Sequence, residues 1–181
     1  METYIALLRG INVSGHKIIK MEVLRAIFES MGFENVRTYI QSGNVIFLSK
    51  KTREQTLLKK ITGTLEARLG YPVAILLRTP AELQAIVESH PYGPITPDDP
   101  RKLYVAFVQD LSDAALHPGF LSLQTPGEDY TISGREIYIS IDKNHPKPLF
   151  SNVLAEKKLK TISTTRNWAT VNKLLRLSTE V

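Results

Sequence analysis

The chain has 181 residues, of which 43% are apolar and 23% are charged, and these values exclude a disordered protein as the expected class. Its 23 Lys and Arg residues against 18 Asp and Glu residues give a net charge of +5, which suits an anionic partner without requiring one. The sequence contains no cysteine, which excludes disulfides, thiolate metal sites and a thiol nucleophile.

The amino-terminal segment carries no pattern of a signal peptide or membrane span. Its apolar run, Tyr4–Leu8, ends at Arg9 and is too short for either. We therefore expect a cytoplasmic protein that does not interact with a membrane.

Residues 1–90 predict the element order β-α-β-β-α-β. Apolar runs indicate four strands, at Thr3–Leu8, Val36–Ile40, Val45–Leu48 and Val73–Leu77. Apolar residues at helical spacing predict one helix from Met21 to Met31 and another from Thr52 to Leu69, the second opened by a capping box of Thr52 and Gln55. This order is typical of a ferredoxin-like lobe. An open parallel sheet is the alternative, but a tight hairpin at Gln41–Asn44 favours antiparallel pairing.

A further helix is predicted after the fourth strand, because Thr79-Pro80 followed by Glu82 is a helix-start signal. Four prolines then lie between His90 and Pro100, which disfavours both a helix and a central strand. We therefore predict a lobe at residues 1–90, a proline-rich linker at 91–100 and a second α/β lobe at 101–181.

The second lobe loosely repeats the order of the first and adds a carboxy-terminal helix. Its predicted strands are Leu103–Val108, Tyr130–Ser133, Glu136–Ile141 and Thr161–Thr164, the middle two joined by a turn at Gly134-Arg135. Its predicted helices are one capped by Ser112 and stopped by Pro118, one at Phe150–Leu159 and a last one. The apolar face of that last helix is predicted to carry Trp168, Val171, Leu174 and Leu175, with Trp168 mostly buried. The fold class is therefore α+β, with two α/β lobes of which the first is ferredoxin-like.

Three polar segments are candidates for ligand binding. The loop Arg9–Lys17 follows a strand and precedes a helix, where backbone N–H groups and cations can contact an anion, although it lacks the glycine spacing of known phosphate loops. In Gln41–Asn44, left-handed backbone at Gly43 and Asn44 explains those two residues. Turn geometry demands Gln41 and Ser42 less, so their amide and hydroxyl groups are candidates for contact with a ligand.

The third candidate segment is Thr164–Trp168, at the start of the last helix. A guanidinium at Arg166 beside a helix N-terminus would form an anion site. The alternative is a threonine cap followed by an exposed Arg166, with Trp168 facing the core.

Metal sites and nucleophilic catalysis find little support in the sequence. The histidines at 16, 90, 117 and 145 show no metal-ligand spacing, and Ser42 lacks the turn that exposes a nucleophilic serine. Asp98 and Asp99 are predicted to lie in a solvated loop. We expect no metal and no cofactor, and no catalytic residue can be assigned.

Three motifs together resemble a bacterial family catalogued as the domain of unknown function sixteen-ninety-seven. They are LLRGINV at Leu7–Val13, TYIQSGN at Thr38–Asn44 and TRNWATV at Thr165–Val171. Ser14 stands where the family often has glycine, and Ala169 where it often has asparagine, so no polar contact is expected at position 169. The resemblance implies two α/β lobes, the first ferredoxin-like, and no particular activity.

Chain topology predicts that two of the motifs meet. The first and third strands of a ferredoxin-like lobe are neighbours, so the end of the first, at Arg9, lies beside the start of the third, near Asn44. We hypothesise a site for a small phosphate- or carboxylate-bearing ligand at the edge between the lobes, formed by Arg9, Asn12, Gln41, Ser42, Asn44, Arg166 and Asn167. One alternative is that these groups only bind each other and hold the fold together. Others are a nucleic-acid-binding protein, for which the charge is sparse, and an enzyme with unidentified catalytic residues.

Overall fold

The computed structural model describes residues 1–13 and 15–180, so the family departure at Ser14 lies outside the described residues. The chain forms two compact units. Unit 1 comprises residues 1–84 and 173–181, and unit 2 comprises residues 85–172. In the part of the chain that the structure describes, no helix combines the length and apolarity needed to cross a bilayer.

Unit 1 contains a four-stranded antiparallel sheet in the order β2-β3-β1-β4. Its strands are β1 (Glu2–Leu8), β2 (Glu34–Tyr39), β3 (Asn44–Ser49) and β4 (Ile75–Arg78), and its helices before β4 are α1 (Met21–Ser30) and α2 (Glu54–Leu69). This order confirms the ferredoxin-like lobe, and the parallel-sheet alternative is wrong. One face of the sheet packs on an aromatic cluster in which the rings of Phe33 and Phe47 lie 4.5 Å apart.

Unit 2 contains a second antiparallel sheet in the corresponding order, β6-β7-β5-β8. The strands are β5 (Arg101–Val108), β6 (Glu128–Ser133), β7 (Glu136–Asp142) and β8 (Ser163–Asn167). A 3-10 turn at Ala114–Leu116 leads into α4 (His117–Leu121), and α5 (Asn152–Leu159) precedes β8. The predicted repetition of the element order is therefore confirmed.

A helix follows the last strand of each sheet. These helices are α3 (Pro80–Glu88) and α6 (Trp168–Thr179). The helix start predicted at Thr79-Pro80 is present, and its first turn forms a capping box: the backbone N–H of Thr79 donates to Glu82 Oε2 at 2.7 Å, and the backbone N–H of Glu82 donates to Thr79 Oγ1 at 3.3 Å.

Two other predicted helix starts are wrong. Helix α2 begins at Glu54 with Arg53 as its N-cap and has no side-chain cap, so Thr52 does not form a capping box. In unit 2 the cap is Asp113, whose carboxylate accepts from the backbone N–H of Ala115 at 3.2 Å, rather than Ser112. Pro118 lies in the first turn of α4 rather than ending a helix, because that turn does not need the missing N–H.

Candidate functional site

The structure brings the first two motifs together in unit 1. Leu7 of β1 lies opposite Asn44 of β3, so the loop after β1 and the hairpin before β3 share one edge of the sheet. The side-chain amide of Asn12 donates to the carbonyl of Gln41 at 2.8 Å, which joins the loop directly to the hairpin.

The amide of Asn12 is used within the fold. Asn12 has a positive φ of 53°, and its Oδ1 accepts from the backbone N–H of Ile19 at 2.8 Å. Its Nδ2 also donates to the carbonyl of Ile19 at 3.1 Å. These bonds close the loop between Asn12 and Ile19, so Asn12 holds the loop in shape.

The amide of Asn44 is likewise occupied. Asn44 is fully buried as the first residue of β3, and its Nδ2 donates to the carbonyl of Tyr39 at 2.9 Å and to Ser42 Oγ at 3.0 Å. The left-handed residues of the hairpin are Ile40 and Gly43 rather than Asn44. Asn44 is therefore required for its side-chain hydrogen bonds and not for its backbone conformation, which corrects the expectation from the sequence.

Gly43 is required by space as well as by its φ of 77°. A Cβ at this position would lie 2.6 Å from Ile11 Cδ1 and 2.9 Å from Leu8 Cβ. The hairpin therefore packs directly on the end of β1. Among the predicted ligand residues of this edge, Gln41 is exposed and Arg9 is partly exposed.

The remaining two predicted residues, Arg166 and Asn167, belong to unit 2. Arg166 in β8 is only 6% exposed, and its Nη1 donates to Thr164 Oγ1 at 2.8 Å and to the carbonyl of Thr165 at 2.9 Å. Burial lowers the pKa of Arg166 to about 10, so the guanidinium stays charged at neutral pH. Asn167 rather than a threonine caps α6, accepting from the backbone N–H of Thr170 at 2.8 Å.

Trp168, at the start of α6, is half-buried rather than a core residue, which corrects the sequence expectation; Val171 one turn later is fully buried. The centroid of the Trp168 ring lies 4.6 Å from that of the His90 ring. Burial, followed by the nearby charge of Arg101, lowers the pKa of His90 below its ordinary value. His90 is therefore neutral at physiological pH, and its ring is tilted by 57° to the indole ring.

An open cleft of about 380 Å³ lies between the start of β5, the residues that precede it and the start of α6. It includes Asn167 and Trp168 from the third motif. The other lining residues are contributed by two distant segments: Ile95, Thr96, Pro97, Asp99, Arg101, Lys102, Leu103, Tyr104 and Lys143.

Asp99 and Arg101 form a two-bond ion pair at one side of this cleft. Arg101 Nε donates to Asp99 Oδ1 at 2.9 Å, and its Nη2 donates to Oδ2 at 2.8 Å. The Asp99 side chain is 7% exposed, which corrects the solvated-loop expectation, whereas Asp98 is exposed. The hydrogen bonds from Arg101 lower the pKa of Asp99 to about 2.

Arg101 also takes part in the hydrogen bonds that link the proline-rich segment to the sheet of unit 2. Its Nη1 donates to the carbonyl of Tyr92 at 3.1 Å, and the Tyr92 hydroxyl donates to the carbonyl of Tyr138 in β7 at 3.0 Å. Residues 95–99 form one wall of the cleft. This segment is therefore held by hydrogen bonds of Arg101 at Tyr92, which precedes it, and at Asp99, which ends it.

Sequence reasoning missed the two lysines and the tyrosine of the cleft. Lys102 and Tyr104 lie in β5, and Lys143 follows β7, with its backbone N–H donating to the carbonyl of Pro100 at 2.8 Å. Arg101 pairs with Asp142 across the two strands, and this register brings Lys143 beside residues forty positions earlier. The adjacent cations Arg101 and Lys102 were the available sequence signal for this cleft. They indicate a cationic site only when the register also brings Lys143 beside them.

A metal centre is not formed in the described ranges, 1–13 and 15–180, where no three His, Asp or Glu side chains come close enough to share an ion.

The family model described as "Protein of unknown function (DUF1697)" matches residues 1–138. The chain belongs to this family. A comparison with curated proteins gives no match. Among solved structures, the chain is similar to the conserved bacterial protein SP0830 from Streptococcus pneumoniae, with 22% sequence identity, a TM-score of 0.78 and 98% of each chain covered. At this identity the similarity establishes the fold, and the function rests on the site itself.

Proposed function

We propose that the protein binds a small anionic ligand, carrying a phosphate or carboxylate group, in the cleft of unit 2. The observation that carries this proposal is the charge of the lining. Arg101, Lys102 and Lys143 surround the cleft, against the single carboxylate of Asp99. Convergent cations around a concave surface are the ordinary means of binding an anion.

The charge available to a ligand comes from the two lysines. Asp99 already pairs with Arg101, so these two side chains nearly neutralise each other. The ammonium groups of Lys102 and Lys143 form no hydrogen bond or ion pair with another residue within ranges 1–13 and 15–180. Both lysine side chains are exposed at the rim, where they can contact an anion at little desolvation cost.

The first turn of α6 supports the same ligand class. Trp168 and Ala169 line the cleft at the N-terminus of this twelve-residue helix, where the helix dipole favours negative charge. The side chain of Asn167 satisfies the N–H of Thr170, which keeps the helix start in place beside the cleft.

Two aromatic rings favour a ligand that is partly flat. Tyr104 and Trp168 both line the cleft, and each can pack against a planar group. A volume of about 380 Å³ suits a ligand of the size of one nucleotide rather than a nucleic-acid strand. We therefore place a nucleoside monophosphate among the first ligands to test.

Trp168 provides a direct readout because it is the single tryptophan of the chain. Its fluorescence is followed during titration with inorganic phosphate, adenosine monophosphate and a single-stranded oligonucleotide. We expect saturable quenching by one of the small anions, and at least about tenfold weaker binding to the Lys102→Gln/Lys143→Gln variant. Binding that is tight only for the oligonucleotide contradicts the proposal.

The matched control is Lys59→Gln/Lys158→Gln, which removes the same charge from two exposed helix positions outside the cleft. It should bind as the wild type does. Equal weakening in both double variants shows an effect of net charge alone and contradicts the proposed site, as does the absence of any fluorescence response to the small anions.

A further inference from the structure

The edge of unit 1 formed by the loop after β1 and the β2–β3 hairpin exposes large apolar side chains. Val13 is 56% exposed, Ile18 is 72% exposed and Ile40 in the hairpin is 46% exposed. Asn12 donates to the carbonyls of Lys17, Ile19 and Gln41, which are the chain neighbours of Ile18 and Ile40. Val13 follows Asn12 directly, so all three residues belong to the segments joined at this edge of unit 1, which we name the loop patch. Apolar side chains grouped at a surface indicate an interaction site more often than single ones do.

The loop patch is held in a defined shape. The backbone N–H of Asn12 donates to the carbonyl of Lys17 at 3.2 Å, and that of His16 donates to the carbonyl of Val13 at 2.9 Å. Together with the side-chain bonds of Asn12 to Ile19, these contacts hold the loop backbone next to the exposed Val13 and Ile18. The exposure of the patch is therefore built into the fold of the loop.

Ile40 adds a backbone cost to its exposure. Its φ is 50°, in the left-handed region that β-branched residues rarely occupy. Asparagine or glycine would adopt this conformation with less strain and would expose less apolar surface. The fold thus tolerates both strain and exposure to keep an isoleucine at the tip of the hairpin.

The charges around the loop patch are all positive from Arg9 to Lys20. They are Arg9, Lys17 and Lys20, and the first carboxylate after them in the sequence is Glu22 in α1. Lys17 already contacts the carbonyl of Pro72 at 3.3 Å and the ring of Tyr71 at 5.3 Å, whereas Lys20 is exposed beside the patch. The surface therefore combines branched aliphatic tips with a cationic border.

We propose that the loop patch is a docking site for an anionic lipid surface. Aliphatic side-chain tips can enter the boundary between lipid headgroups and acyl chains while flanking cations contact lipid phosphates. The free energies of apolar burial and of electrostatic attraction then both favour binding. A nucleic acid would match the charge but not the tips, because valine and isoleucine offer no ring on which a base can stack. Such contact is peripheral and does not require a membrane-spanning helix, but it departs from the expectation, drawn from the sequence, that the protein does not interact with a membrane.

Co-sedimentation with vesicles tests this docking site. The probes are vesicles of phosphatidylcholine alone and of phosphatidylcholine mixed with phosphatidylglycerol. We expect the wild type to bind the mixed vesicles, to bind the neutral vesicles at least about tenfold less, and to lose binding as ionic strength rises. Absence of binding to the mixed vesicles, or equal binding to both vesicle types, overturns the proposal.

Variants separate insertion of the apolar tips from charge attraction. Ile18→Ser/Ile40→Asn should reduce binding to the mixed vesicles by at least about tenfold, and asparagine at position 40 suits the left-handed backbone, so folding is preserved. The control is Val153→Ser, which removes a 66% exposed valine from α5 and should bind as the wild type does. If only Lys20→Gln weakens binding and Ile18→Ser/Ile40→Asn does not, the contact is electrostatic and the proposed insertion is wrong.

Discussion

The first strand of each unit, β1 or β5, pairs with its two neighbours in the same register, although no residue-level repeat can be aligned in the sequence. The backbone N–H of Leu8 donates to the carbonyl of Gly43 at 2.9 Å, and that of Val108 donates to the carbonyl of Arg135 at 2.9 Å. Each bond joins the end of the first strand of a sheet to the turn before its third strand. The two sheets can therefore be compared position by position, starting from Leu8 and Val108.

Two buried arginines, Arg78 and Arg166, occupy equivalent positions in the two sheets. Arg78 lies opposite Ile5 in unit 1, and Arg166 lies opposite Val105 in unit 2. Ile5 and Val105 are equivalent because each lies three residues before its reference position, Leu8 or Val108. Nη1 of each arginine donates to the carbonyl of the residue before it, at 2.7 Å for Arg78 and 2.9 Å for Arg166. The third motif thus contains an arginine that has a structural counterpart in unit 1.

The charges at the rims differ between the units. Tyr4 and Tyr104 occupy equivalent positions in β1 and β5, but the residue two positions earlier is Glu2 in unit 1 and Lys102 in unit 2. A cleft of about 250 Å³ beside Tyr4 is lined by two carboxylates, those of Glu54 and Glu82, and by one cation, the buried Arg78. The cleft beside Tyr104 has an excess of cations. The buried positions of the two sheets correspond, whereas the exposed positions at the rims, which cost little to change, differ in charge.

The largest effect that tests the comparison is removal of the buried arginines. Arg78→Leu and Arg166→Leu should each lower the free energy of unfolding by about 3 kcal/mol, because each leaves buried hydrogen-bond acceptors without a donor. Urea denaturation measures both values, with the exposed Arg68→Leu as a control that should change stability by less than about 0.5 kcal/mol. A large loss at one arginine and none at the other would break the equivalence.

The two hairpins should respond differently to alanine. Gly43→Ala introduces a Cβ 2.6 Å from Ile11 Cδ1 and also strains a φ of 77°, so we expect a loss of about 3 kcal/mol. At Gly134 the φ is 60° but the nearest atom is Glu136 Oε2 at 3.4 Å, so strain alone costs about 1 kcal/mol. Thermal unfolding compares the two variants. Equal losses would show that the hairpin of unit 1 does not need its close packing on β1.

The helix caps should give a smaller difference. Thr79→Ala removes a reciprocal cap with Glu82 and should cost about 1.5 kcal/mol, while Asn167→Ala removes one bond to Thr170 and should cost about 1 kcal/mol. Urea midpoints report both losses. Asn167→Ser retains a capping oxygen and should recover most of the stability, and a failure to do so would assign Asn167 a role other than capping.

The smallest expected effect is the acid response of the Asp99–Arg101 pair, which is less exposed than the pair of Glu2 and Lys51 in unit 1. The folded-state pKa of Asp99 lies below its ordinary value of 3.8, at about 2. The pair therefore contributes stability that is complete above about pH 4 and is lost as the pH falls toward 2. Asp99→Asn should flatten the dependence of unfolding on pH in this window. An unchanged slope would mean that the pair does not hold the segment before β5.

The local pattern of the sequence determined the element order of both sheets and the two hairpin turns. Apolar runs of strand length and glycines at positive φ act over a few residues, so the positions of β1, β3 and β7 could be predicted closely from neighbouring residues. The boundaries of helices were less predictable. Thr52 and Ser112 are suitable capping residues, but the chain begins its helices at neighbouring positions where the backbone enters from the sheet.

Only the tertiary structure decided which polar side chains remain available to a ligand. Asn12, Asn44 and Arg166 carry the groups that a binding site needs, yet each donates to carbonyls or hydroxyls of the protein within 3.1 Å. The acceptors of Asn12 and Asn44 include carbonyls on other strands or loops, whereas those of Arg166 belong to its own strand, which is buried. The cations of the cleft meet because Arg101 pairs with Asp142, a contact between positions forty-one residues apart. A sequence specifies donors and acceptors, but sheet register determines which of them meet, and burial determines which remain in contact with solvent.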